Sequence, residues 1–282
     1  MDIISFKSNK NIKTGQVTTI FPFTSTEDRH NSCKGCPLLP SINIKQDGKK
    51  IRLEGHYKTK EERKKEIRST LPKKGKKTMK ERIEDALHQL IESGKIPASP
   101  CYAWNGQVRM ATSSIEKAAH KNPDKYIGLT GLKHQLKNRL WSQKIVRIGS
   151  IGEFARLPKE QALSVVHTIK EAGLTVIAYT HQWAKNPHLK DSFRASCDNK
   201  IALKKAIDKG WKSQFAIHES KITEREIELL PGVIGRVCDF YSNEWIAGDK
   251  TEKNIPVIDC NNCRACKIEG DSPQVIIMPF HK

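Results

Sequence analysis

Three cysteines, Cys260, Cys263 and Cys266, stand two residues apart in CNNCRAC, and His281 follows the apolar run QVIIMPF. Two-residue spacers let a tight turn aim successive sulfurs at one ion, and three thiolates with an imidazole suit tetrahedral zinc. Cys238, in RVCDF, competes with His281 for the fourth place. An iron–sulfur cluster takes the same thiolates. An imidazole is an ordinary zinc ligand, so zinc is the favoured metal and a cluster the lesser alternative. The bland alternative is a group of buried thiols. A second CxxC, Cys33 and Cys36 in SCKGCP, pairs with Cys101 in CYAW. Loop-closure cost grows slowly with length, so a surface insertion between them would still let the three meet at a second metal. Against this stand two turn thiols and one buried cysteine.

The candidate reacting groups lie elsewhere. Glu153 follows a glycine just after the strand-like VRIGS, where a carboxylate would serve as general base, nucleophile or acceptor for a nucleobase edge. It would serve equally as an acid capping the helix that LPKEQ opens. AYTHQW brings together Tyr179, His181 and Trp183, able to stack a base or move a proton, and Arg147 joins them as a substrate-binding candidate. Asp198, in SCDN, is a second carboxylate at a strand end, or else the N-cap of the helix after it. His218 and Glu219 form a weaker pair. No Walker loop, GxSxG or HExxH is present, which argues against P-loop hydrolysis, the usual esterase pattern and zincin proteolysis.

These groups need elements to hold them. The 282 residues suffice for one large domain or a core with an appendage. KIVRIGS, LTVIAYT, FRASC, SQFAIH and GVIGRVC read as strands. PKEQALSVVHTIKEAG and NKIALKKAIDKG read as the helices between, the first opened by proline and closed by glycine. Further helices are expected from MKERIEDALHQLIESGK, near 113–121 and near 129–141. Alternating strands and helices predict an α/β fold with a parallel sheet, open or closed into a barrel, whose active groups collect where strands end: 149–153, 179–183, Cys197 and Asp198, His218 and Glu219. The expected division is an irregular cysteine-containing region over 1–44, a lysine-rich insertion or arm over 45–82, the barrel-like core over 83–235 and a metal-binding segment over 236–282.

Composition narrows the partners. A net charge of +19 draws the chain to polyanions, DNA or RNA ahead of an anionic membrane, with a merely solubilising surface as the alternative. Charged residues make up 29% and mean hydropathy is −0.59, and no apolar run approaches the ~18 residues of a membrane span. The N-terminus lacks the order of a signal peptide, so a soluble cytoplasmic protein without a membrane partner is expected. Eight cysteines in a chain of this size fit metal binding better than a disulfide framework.

Taken together, CKGCP, CYAW, VRIGSIGEF, AYTHQW, ASCDN and the terminal knuckle ending in histidine resemble a group of phage and mobile-element proteins. These are similar in turn to the tRNA-guanine transglycosylase superfamily, including phage enzymes that place 7-deazaguanine bases in DNA. The lysine-rich segment lies outside the resemblance. It implies a (β/α) barrel with a C-terminal zinc subdomain, a host bacterial cytoplasm, and base exchange. In that reaction one carboxylate attacks the sugar C1′ and expels guanine, a deazaguanine then displaces the enzyme, and a second carboxylate recognises the incoming base. Carried over, the zinc set is Cys260, Cys263, Cys266 and His281, and the strand-end acid is Glu153. The relatives carry a histidine and an aspartate where this chain has Gly149 and Glu153. Their zinc pattern has one residue between its first two cysteines and a longer gap to histidine. Asp198, Glu219 and Asp239 therefore remain open as nucleophiles, with Asp198 preferred for its place at a strand end. A non-catalytic zinc-containing nucleic-acid-binding protein is the alternative. An iron–sulfur radical enzyme ranks third, since CxxxCxxC is missing.

Overall fold

The computed structural model describes residues 2–11, 15–24, 42–46, 49–53, 60–71, 78–93, 106–139, 142–149, 152–218, 221–239 and 259–280. Eleven strands are defined: β1 Ile4–Asn11, β2 Gly15–Phe21, β3 Ile42–Gln46, β4 Lys49–Leu53, β5 Ile145–Ile148, β6 Thr175–Thr180, β7 Arg194–Cys197, β8 Ser213–His218, β9 Glu226–Leu230, β10 Val233–Val237 and β11 Val275–Phe280. Nine of them form one sheet in the order β1-β2-β5-β6-β7-β8-β11-β10-β9, while β3 and β4 make a separate hairpin. The seven strands from β2 to β10 run parallel, and β1 and β9 pair antiparallel at the two edges.

The α/β class with a mostly parallel sheet is thus as expected. Among the described residues β1 and β9 are the end strands of the sheet and do not pair with each other, β1 making one further bridge from Ile4 to Ile127, so no closed barrel is seen. The region over 1–44, expected to be irregular, supplies β1 and β2. The expected boundary at 236 runs through the sheet: β11 pairs with both β8 and β10. The lysine-rich stretch holds β3, β4 and the helix Lys60–Thr70, which packs on the helix Met79–Glu92.

Side-chain alternation sorts the sheet into two faces. Val146, Ile148, Val176, Ala178, Ala195 and Cys197 meet Leu132 and Leu136 of the helix Gly128–Lys137, and Val165, Val166 and Ile169 of the helix Lys159–Glu171, in the main core. Burying each large aliphatic side chain there contributes ~1.5–3 kcal/mol. The opposite face carries Val17, Ile145, Ile177 and Tyr179, against which Cys260 and Cys266 pack. Among the described residues no helix is long and apolar enough to cross a membrane.

Candidate active site and metal centre

Two clusters of chemically able groups are present, one at the ends of strands and one on a face of the sheet. The first is at the carboxyl ends. Gly149 leaves β5 at φ +66° and donates its N–H to the Ile20 carbonyl, and Gly152 at φ +78° completes a turn that L side chains disfavour. That turn returns Glu153 over the ends of β5 and β6. Its carboxylate is buried, and its Oε1 accepts from the Ala155 N–H at 3.2 Å and the Thr180 hydroxyl at 2.7 Å. Oε2 accepts from the His181 N–H at 2.9 Å. Glu153 therefore caps the short 3-10 turn Phe154–Arg156 and pins the start of the β6 loop at once.

His181 faces β7. Its Nε2 lies 3.1 Å from the Ser196 hydroxyl and 3.6 Å from Asp198 Oδ2, an ion-pair distance longer than a hydrogen bond. Burial opposes charging of the ring, but the Asp198 carboxylate, helped by Glu153, carries its pKa up to about 9. The histidine is thus an imidazolium at neutral pH. Serine and aspartate approach the same ring nitrogen, so this is not a relay of the serine–histidine–aspartate kind, which uses both nitrogens. Asp198 is not the N-cap of the helix Lys200–Asp208: Asn199 takes that place and accepts from the Ala202 N–H at 2.8 Å. Asp198 and His181 are each about a quarter exposed, at 22% and 27%, so both are open to solvent.

The aromatic candidates do not gather there. Trp183 lies in the core with its ring edge-on to Trp211, centroids 6.3 Å apart, and it offers no open face to a base. Tyr179 belongs to the other face, hydrogen-bonded to the Cys266 thiol, and burial followed by that thiol raises its pKa well above the ordinary phenol value. Arg147, half-buried in mid-strand, acts electrostatically on Tyr179 rather than on His181. Glu219 and the expected second cluster, Cys33, Cys36 and Cys101, lie outside the described residues, as does His281.

The second cluster is the cysteine knuckle, packed on the sheet face that carries Val17, Ile145, Ile177 and Tyr179. Asp259 caps the turn Cys260–Cys263 by accepting from the Asn262 N–H at 3.0 Å, and Arg264 ends it in the left-handed region at φ 50°. Asn261 is buried and its Oδ1 accepts from the Lys144 N–H at 3.0 Å, fixing the turn to the start of β5. Arg194 at the start of β7 is fully buried. It donates to the carbonyls of Ala265, Cys266 and Lys267 at 3.0–3.1 Å, and of Ser213 and Gln274 at 3.2 and 3.5 Å.

Cys238, Cys260, Cys263 and Cys266 line one cavity of about 20 Å³, together with Asp239 and Ile276. No disulfide joins them. The Cys263 thiol donates to Asp239 Oδ2 at 3.0 Å, and burial with that carboxylate pushes the thiol up to about 12. Asp239 is held by Arg225 and Arg236, both at 2.8 Å. Its pKa is lowered because these bonds, that from Cys263 first, outweigh burial. Among the described residues no group of three or more His, Cys, Asp and Glu is drawn together to ion-holding distance. The donor set and a space of one ion's size nevertheless fit a thiophilic metal.

Sequence reasoning passed over Arg194 and Thr180. The arginine had a signal, a cation inside the apolar-bounded strand FRASC. Thr180 had none. Comparison with protein-family models, curated proteins and solved structures finds no match to this chain.

Proposed function

We propose that the protein is a base-exchange transglycosylase that replaces guanine in DNA with a 7-deazaguanine. The observation that carries the proposal is the pairing of Asp198 with a charged His181 at the carboxyl ends of parallel strands, where such folds place their chemistry. Asp198 is the nucleophile. Its oxygen bonds to C1′ as the C1′–N9 bond breaks, the electron pair leaves with guanine, and the His181 imidazolium supplies a proton to the departing base. The neutral imidazole then takes the N9 proton of the incoming deazaguanine, which attacks C1′ and releases Asp198. Two displacements return the original sugar configuration. Glu153, already holding three donors, positions the main chain of His181.

A base must leave the duplex stack for this chemistry. Support for a polyanionic substrate comes from the net charge of +19; an open cleft of about 580 Å³ bordered by Lys137, Arg139, Lys144 and Arg264 lies at the starts of β5 and β6, apart from Asp198 and His181. Such cations hold phosphates without reading sequence. A zinc ion held by Cys260, Cys263 and Cys266 with one further ligand would act as a structural clasp on the sheet face that carries Ile177 and Tyr179.

The test is incubation of the protein with duplex DNA, or separately tRNA, and labelled guanine or a 7-deazaguanine, followed by nucleoside mass spectrometry. Incorporation that Asp198→Asn lowers by at least ~10²-fold, with DNA affinity kept, supports the proposal. Incorporation into tRNA alone keeps the chemistry and changes the polymer. Tight binding without incorporation would leave the alternative, a non-catalytic zinc-containing nucleic-acid-binding protein.

A further inference from the structure

We infer that the fourth ligand of the knuckle metal is Cys238, so that the centre is a four-thiolate zinc site tying β10 to the knuckle. This rests on the metal part of the proposed function and not on base exchange. Three observations converge. First, Cys238 lines the same cavity as Cys260, Cys263 and Cys266, and its N–H donates to the Ile277 carbonyl at 2.9 Å, which fixes it beside β11. At about 20 Å³ the cavity has room for one ion.

Second, the direction of β11 disfavours His281. Ile276 lines the cavity, and from there the strand runs on to Phe280. Four residues at ~3.3 Å each carry the chain ~13 Å from the cavity before His281 begins. A Zn–S bond spans only ~2.3 Å.

Third, Arg194 is a fully buried cation that finds five carbonyls but no carboxylate among the described residues. An unpaired buried charge is costly. Its bonds to the Ala265, Cys266 and Lys267 carbonyls set it against the knuckle, where zinc with four thiolates would carry two net negative charges for Arg194 to offset. Asp239 cannot be the counter-charge, since Arg225 and Arg236 already hold it. On metal binding Cys263 gives up its proton, and with it the hydrogen bond to Asp239.

Metal content and the spectrum of the cobalt(II)-substituted full chain test this. Sulfur-to-cobalt charge-transfer intensity follows the number of thiolates. The expected result is about one zinc per chain, a four-thiolate cobalt spectrum, its loss by about a quarter in Cys238→Ser, and no change in His281→Asn. A change in His281→Asn, or a three-thiolate spectrum in the wild type, overturns the assignment; both readouts hold even where Cys238→Ser does not fold. Iron with sulfide in place of zinc overturns it as well. A wild-type chain that takes up no metal removes this inference and the zinc clasp together, while base exchange is judged separately by nucleoside analysis.

Discussion

Glu153 and Asp198 approach the same histidine from two strand ends, the first through its main chain and the second through its ring. The buried carboxylate with three donors is committed to holding the loop, whereas the partly exposed one is placed to react. Replacing Glu153 with Gln removes charge but keeps size, leaving donors crowded on a poorer acceptor. We expect a loss of ~1–3 kcal/mol in urea unfolding. His181 gives a pH signature. Its folded pKa of about 9 lies above the ordinary value of 6.5, so the charged ring's contribution to stability is complete below about pH 6.5 and lost as pH rises through about 9. Melting temperature should therefore fall across that window in the wild type. His181→Gln should be flat there; an equal fall in the variant would remove the Asp198–imidazolium pair as its source. Asp198 and His181 were legible in sequence because their motifs close apolar strands. The part played by Glu153 was only half legible: it is a capping acid, but of the 3-10 turn Phe154–Arg156 and not of the helix that LPKEQ opens, whose N-cap is Pro158, and Thr180 and His181 reach it through the sheet.

At the level of elements, the central strands announced themselves. β5 and β6 are β-branched, apolar runs, with the helix Lys159–Glu171 and its proline and glycine punctuation between them, as sheets covered by helices require. The edges did not. β1, ISFKSNKN, and β9, EIELL, alternate with polar and charged residues because one side of each faces no strand, and short charged edges of this kind protect a sheet from further pairing. The knuckle shows the same limit. Its cysteines are visible in sequence, but the strand that receives them is marked only by Arg194. Arg194→Ala should orphan carbonyls from both the knuckle and β8, costing at least ~3 kcal/mol and loosening the 259–268 segment in hydrogen exchange. Arg194→Lys, with one ammonium for five acceptors, should recover only part. Wild-type protection of that segment in Arg194→Ala would show that the clamp is not needed.

For the whole molecule, the described arrangement is a sheet with helices on one face, a cysteine knuckle on the other, and the Glu153–His181–Asp198 group at strand ends. On the proposed function, metal and chemistry fall to different residues. Stripping metal with a chelator should lower the melting temperature and leave residual base exchange below the new transition, since ligand binding to the folded state adds stability by mass action. Loss of exchange at temperatures where the fold persists would make the metal a participant.

The strand order carries a consequence for how the chain is made. β11 lies between β8 and β10, although it is synthesised after both, with β9, β10 and the knuckle turn coming between. As the chain emerges, β8 has no partner on its far side, and the β9–β10 hairpin has no sheet to join. Each presents open backbone groups until the last strand slides between them. Pairings this distant in sequence close slowly. A nascent chain halted before residue 275 is therefore left with two unmatched edges, the kind of surface that holdase chaperones recognise and that aggregation exploits.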